Sequence, residues 1–204
     1  MGQSFLTIEL FHQEIVEKHL TNFEFLSELL TDVANHVLDA EQTIKLLIQE
    51  QNYLVHIALS FLSKEDIKTI NHNTRNIDSP TDVLSYPNFD FGHLIEKKHA
   101  QKDSTKKDDE GLNFTFKAYD FLDPDSKTPT ISLGEILICP EIVAIQAKEI
   151  GNTFLKELCF LFVHGILHLC GYDHNTKEDR RNMFNLQQSI VVVLEELLEQ
   201  YENK

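Results

Sequence analysis

The sequence predicts an α+β protein, a small mixed sheet of about four strands packed with about five helices, with a metal site at the end of a central helix. Three observations lead to this class. Short runs rich in β-branched and aromatic residues recur up to Cys139. From Pro140 onward the chain reads as three successive helices. Three of the ten histidines fall within HGILHLCGYDH, residues 164–174. The 204 residues fit a single domain, with a flexible insertion expected around 88–130.

In chain order, Ser4–Phe11 carries the strand-like run FLTIELF. Phe23–Ile48 sets Phe23, Leu26, Leu29, Leu30, Val33, Val37 and Leu38 at helical spacing, which predicts one or two amphipathic helices. Tyr53–Leu62 (YLVHIALSFL) reads as a strand. Ser63 is then an N-cap with Asp66 at the third helical position, predicting a short helix over Ser63–Asn71. Thr81–Tyr86 and Ser132–Cys139 are further strands. The stretch 88–130 is polar, and five lysines between Lys97 and Lys107 are followed by Asp108, Asp109 and Glu110. At least His99–Leu112 is expected to be flexible. Pro140–Ile150, Phe154–Cys170 and Lys177–Tyr201 are the final helices, with Gly151 and Gly171 as stops for the first two. There are no internal repeats.

Composition narrows the function classes. A hydrophobic fraction of 42% supports a core, and no run of about 18 apolar residues is available to span a membrane. The start, MGQSFLTIELFHQE, lacks the basic segment and cleavage site of a signal peptide. It fits a myristoylation pattern only with Thr7 one place too late, so no lipid anchor is expected. Cys139, Cys159 and Cys170 lie in apolar stretches without CxxC spacing and read as reduced core residues of a cytoplasmic protein. A net charge of −15 excludes nucleic-acid binding by broad electrostatics. Any such role needs a local patch, a metal, or a partner that has already gathered the RNA.

The histidines carry the chemistry. On a helix, His164 and His168 lie one turn apart on one face, the spacing by which two imidazoles grip one Zn²⁺. Gly171 can turn the chain sharply, and His174 then folds back as a third ligand. Three protein nitrogens leave one tetrahedral position open, as in catalytic zinc sites. Ordinary helix-surface or core histidines are the competing reading. The full H-x-x-x-H-x-x-G-x-x-H spacing of the metzincin proteases decides for a single metal ion. Those proteases place a Glu general base directly after the first His. Here Gly165 stands there, so the metal is expected without the proteolytic base.

HGILHLCGYDH resembles the H-G-x-L-H-L-x-G-Y-D-H signature of the YbeY family of endoribonucleases and rRNA maturation factors. Arg75 followed by PTDVLSYP (Pro80–Pro87) is similar to that family's Arg and P-T-D/N-V-L-S-F-P, with Tyr86 for the usual Phe. LGEILICP (Leu133–Pro140) is similar to its L-G-D motif, with Glu135 for Asp. The likeness runs in order from about Tyr53 to the last helix, broken by the insertion. It implies one zinc ion per chain held by His164, His168 and His174, single-strand-specific RNA cleavage, and work in rRNA 3′-end maturation and ribosome quality control. The implied partners are single-stranded RNA, in particular rRNA of the small subunit, and ribosome-associated proteins; no membrane and no DNA are expected.

Arg75 and His164 are the catalytic candidates, His164 serving also as ligand. A guanidinium pairs bidentately with phosphate and can stabilise charge in the transition state. A structural Arg tying the loop before Pro80 to a carboxylate is the competing role. Asp173 either orients a ligand or caps the last helix, for which Asn175 and Thr176 are the other caps. Asp82 and Glu135 are candidate cleft carboxylates, His56 a satisfied core histidine, and Lys64 and Lys68 the basic residues best placed beside Arg75. Two other functions stay open: a ribosome-assembly binding factor with a structural metal, and a divergent metalloprotease using a carboxylate from elsewhere.

Overall fold

Strands β1 (Leu6–Phe11), β2 (Leu54–Phe61), β3 (Val83–Pro87) and β4 (Thr130–Ile138) form one sheet in the order β1-β2-β4-β3. The computed structural model describes residues 6–20, 23–41, 53–89 and 122–202. Strands β1, β2 and β4 run parallel, and β3 pairs antiparallel with β4. The expected mixed sheet and α+β class are what the chain forms. The register slips by one residue between His56 and Ile57, opposite Ser132 and Gly134. Gly134 has φ +139°, and a Cβ there would collide with the carbonyl oxygen of Tyr86. The glycine of LGE is thus required where β3 crosses the bulge.

Six helices accompany the sheet among the described residues, one more than about five, because Glu14–Glu17 forms a single turn (α1). The others are α2 (Leu26–Ala40), α3 (Lys64–Arg75), α4 (Pro140–Ile150), α5 (Phe154–Leu169) and α6 (Lys177–Glu202). Helix α2 realises the first part of the predicted 23–48 segment; residues 42–52 lie outside the described residues, as does the expected flexible stretch His99–Leu112. Ser63 caps α3 as predicted, its Oγ accepting from Asp66 N at 3.2 Å. The helix continues past Asn71 to Arg75, because Asn76 adopts a left-handed cap (φ 58°) and its N–H bonds back to Asn71 O and His72 O.

Helix α5 runs through the core, burying Leu158, Cys159, Phe162, Val163, Ile166 and Leu169. Each such aliphatic or aromatic side chain contributes about 1.5–3 kcal/mol by leaving water. Its Gly165 packs on the sheet; an added Cβ would lie 2.9 Å from Ile136 Cδ1. All three cysteines are buried and unbridged, and burial raises the Cys159 thiol pKa to about 12. No single helix among the described residues is long and apolar enough to cross a membrane.

Candidate metal centre

Helix α5 stops where the predicted glycine turn stands. Gly171 has φ 89°, its N–H donates to His168 O at 2.9 Å, and Tyr172 N donates to Leu167 O at 3.0 Å. This paired pattern is a Schellman turn, and it reverses the chain toward the last turn of the helix. The ligand nitrogens of His164, His168 and His174 consequently gather within 4.8 Å of one another. Among the described residues this is the one group of His, Cys, Asp and Glu arranged to hold a metal ion.

The geometry assigns the ring atoms. His168 Nδ1 lies 2.8 Å from the carbonyl oxygen of Tyr172, and His164 Nδ1 lies 3.3 Å from Gln187 Oε1. Both Nδ1–H groups therefore donate, which leaves the Nε2 lone pairs facing each other at 3.1 Å. Two lone pairs at that distance repel unless a cation or proton lies between them. Two nitrogens bound tetrahedrally at 2.0–2.1 Å stand about 3.3 Å apart, so the spacing fits a metal with little adjustment. An all-imidazole set suits a first-row transition ion rather than magnesium or calcium. Burial lowers the pKa of His164, with nearby His174 adding to the shift while the Gln187 hydrogen bond and Asp82 oppose it. For His168 burial and then the neighbouring His164 bring the pKa to about 4. Both rings are thus held neutral, the form that binds metal.

The histidines open into a cleft of about 350 Å³. Its other walls are Arg75, Asp82, Val83, Ser85, Phe160 and Leu161. Arg75 occupies the last turn of α3, not the loop before Pro80, and no carboxylate among the described residues pairs with it. Two contacts brace this turn. Buried Asn71 donates to Ser79 O at 2.8 Å, and the hydroxyls of Thr74 and Tyr86 lie 2.9 Å apart. The tyrosine in LSYP thereby ties β3 to the residue beside Arg75.

The remaining candidates separate. Asp82 lines the cleft, with its carboxylate accepting from Val83 N (2.8 Å), Thr81 Oγ1 (3.0 Å) and Gln146 Nε2 (3.0 Å). Glu135 lies away from the cleft and accepts from Ser60 Oγ at 3.0 Å. Asp173 does not cap α6; Thr176 does, its Oγ1 accepting from Asp179 N at 3.1 Å. Asp173 instead accepts from His174 N at 2.7 Å and from the Asn175 side chain, holding the ligand loop. His56 is satisfied by Ser132 Oγ and Glu9 and stands apart from the metal group. Lys64 and Lys68 face Glu141 and Asp78 at 3.9 and 3.2 Å, so neither joins Arg75 in the cleft.

Gln187 and Phe160 were not legible as site residues. Gln187 carried one usable signal: it is the polar member of the buried α6 stripe Met183, Gln187, Ile190, Leu194. Gly165, in turn, faces Ile136 on the sheet side, so a glutamate there would enter the core rather than the cleft.

A family model described as endoribonuclease YbeY matches residues 15–195. The chain belongs to the endoribonuclease YbeY family. The protein named endoribonuclease YbeY from Lachnoclostridium phytofermentans is 35% identical over 171 residues, covering 83% of this chain and 89% of its own. Its namesake from Clostridium botulinum (strain Eklund 17B) is 32% identical over 179 residues, covering 87% and 97%. A solution structure from Thermotoga maritima aligns with a TM-score of 0.49 at 26% identity, covering 97% of this chain and 92% of that one. The YbeY family model spans β2 to β4, α5 and most of α6, and with them every residue of the cleft.

Proposed function

We propose that this protein is a zinc-dependent endoribonuclease that cuts single-stranded RNA in the cytoplasm, acting in 3′-end maturation of rRNA and in ribosome quality control. The carrying observation is that Arg75 lines the same cleft as the three histidines, whose nitrogens converge within 4.8 Å. Family membership and the name of its relatives support the same reaction class.

A zinc ion held by His164, His168 and His174 would supply Lewis acidity toward a phosphoryl oxygen and would acidify a water molecule. The chain's own groups do the rest. Gln187 and the Tyr172 carbonyl fix the two α5 imidazoles with Nε2 toward the cleft. Arg75 binds and orients the phosphate, free of a competing carboxylate among the described residues, and stabilises the charge that grows on it. Asp82, with its oxygens engaged by three donors, shapes the wall beside it. A protein of charge −15 then engages RNA through one local cation and a metal instead of a basic surface.

The test is His168→Ala. Zinc content, by elemental analysis, and cleavage of single-stranded RNA are expected to disappear together, and a chelator is expected to abolish cleavage by the unaltered protein. Full cleavage by metal-free protein rules the proposal out. One observation favours a second reading, a ribosome-assembly binding factor with a structural metal: the strongly acidic charge. That reading requires a fourth protein ligand, and the described residues supply three.

A further inference from the structure

The cleft is lined by polar groups, the histidines, Arg75, Asp82 and Ser85, and by the apolar Val83, Phe160 and Leu161. Phe160 is the one carbocyclic ring among these lining residues, and it is half-buried. Phe160, His164 and His168 stand at i, i+4 and i+8 along α5, so they form a single row on its surface. Phe160 thus precedes the first histidine of the group by one turn, a rise of about 6 Å along the helix axis. Its backbone is tied to that histidine. Gln187, only 4% exposed, donates from Nε2 to Phe160 O at 3.4 Å while its Oε1 accepts from His164 Nδ1 at 3.3 Å. Phe160 also lines a second, small cavity of about 30 Å³, together with Lys156, Val191 and Leu194. Phe160 thus borders two spaces and is not a fully buried core residue.

We propose that Phe160 is the nucleobase platform of this cleft: an unpaired base next to the scissile phosphate stacks on its ring while the phosphate lies between Arg75 and the three histidines. The inference rests on the endoribonuclease reading and gives it a physical basis for preferring single strands. A base inside a duplex is already stacked and paired, and is not free to lie against a half-buried ring within a cleft of about 350 Å³. Stacking accepts any base face, so the platform selects unpaired over paired RNA with little regard for sequence. It also supplies binding energy that needs no positive charge, which suits an acidic chain.

The experiment uses the zinc-loaded full chain and a short single-stranded oligoribonucleotide of one sequence, with a single abasic residue moved position by position. Cleavage kinetics, fluorescence anisotropy of a 5′-labelled oligonucleotide, zinc content and thermal unfolding are measured for the unaltered protein, Phe160→Leu and Phe160→Trp. Phe160→Leu is expected to raise KM and Kd about tenfold, with kcat and zinc content close to those of the unaltered protein. Phe160→Trp is expected to retain tight binding. In the unaltered protein an abasic residue beside the cut bond is expected to weaken binding by the same factor, and in Phe160→Leu to add nothing. Unchanged KM and Kd in Phe160→Leu, or undiminished sensitivity of that variant to the abasic position, overturns the platform. Protein that binds the oligonucleotide without cutting it refutes the nuclease reading, and the Kd ratio still decides on Phe160. Protein that does not bind it refutes both.

Discussion

Gly165 on α5 faces Ile136 on β4 so closely that a single added methyl group would stand 2.9 Å from Ile136 Cδ1. The residue after His164 is thus set by helix–sheet contact. Alanine is the better helix former by about 1 kcal/mol, whereas overpacking a core costs about 1–3 kcal/mol. Gly165→Ala is therefore expected to lower unfolding free energy by about 1 kcal/mol in urea titration, and Ile136→Val, which removes the Cδ1 atom, to cost less in that variant than in the unaltered protein. Equal or higher stability of Gly165→Ala alone contradicts the close contact.

Gln187 orients His164 from inside the α6 stripe. Removing the partner of a ligand imidazole weakens metal binding on the order of 10–100-fold. Gln187→Leu keeps the volume but leaves the Nδ1–H without an acceptor. Competition against a zinc-responsive dye is expected to show that loss, with helical circular dichroism preserved; unaltered zinc affinity would assign Gln187 to packing alone.

Arg75 is expected to act as a planar fork. Arg75→Lys retains the charge but loses bidentate phosphate contact, so kcat for RNA cleavage should fall on the order of 10²-fold at unchanged zinc content. If lysine restores full turnover, the guanidinium geometry has no part in the reaction.

The metal-free protein should be acid-sensitive in a defined window. The folded chain lowers the pKa of His164, and that of His168 to about 4, below the ordinary 6.5. Between those values the two histidines bind more protons in the unfolded chain than in the folded one, so their contribution to stability falls as pH drops from about 6.5 toward 4 and changes no further below. Thermal unfolding across this range, with chelator present, is expected to show the fall, and His168→Gln to flatten it. A midpoint that rises on acidification in this window has the wrong sign.

What could be read from the chain was what short-range rules control. The 164/168 pair, the Gly171 turn, the Ser63 cap and the strand alternation all operate within a few residues. The exact end of α3 escaped, because the helix-poor run Asn71–Thr74 is held by a left-handed Asn76 and by the Asn71–Ser79 contact. Gln187 escaped because its partner is 23 residues away. Lys64 and Lys68 looked available for RNA because Glu141 and Asp78 approach them only in three dimensions.

The two α5 histidines are also unequally exposed to genetic change. His164 depends on a side chain that one codon change can remove. His168 leans on the carbonyl of Tyr172, a main-chain atom that every possible residue at position 172 would still provide, so long as the turn at Gly171 forms. A substitution at Gln187 can therefore erode the alignment of His164, while that of His168 is insured by the polypeptide backbone itself.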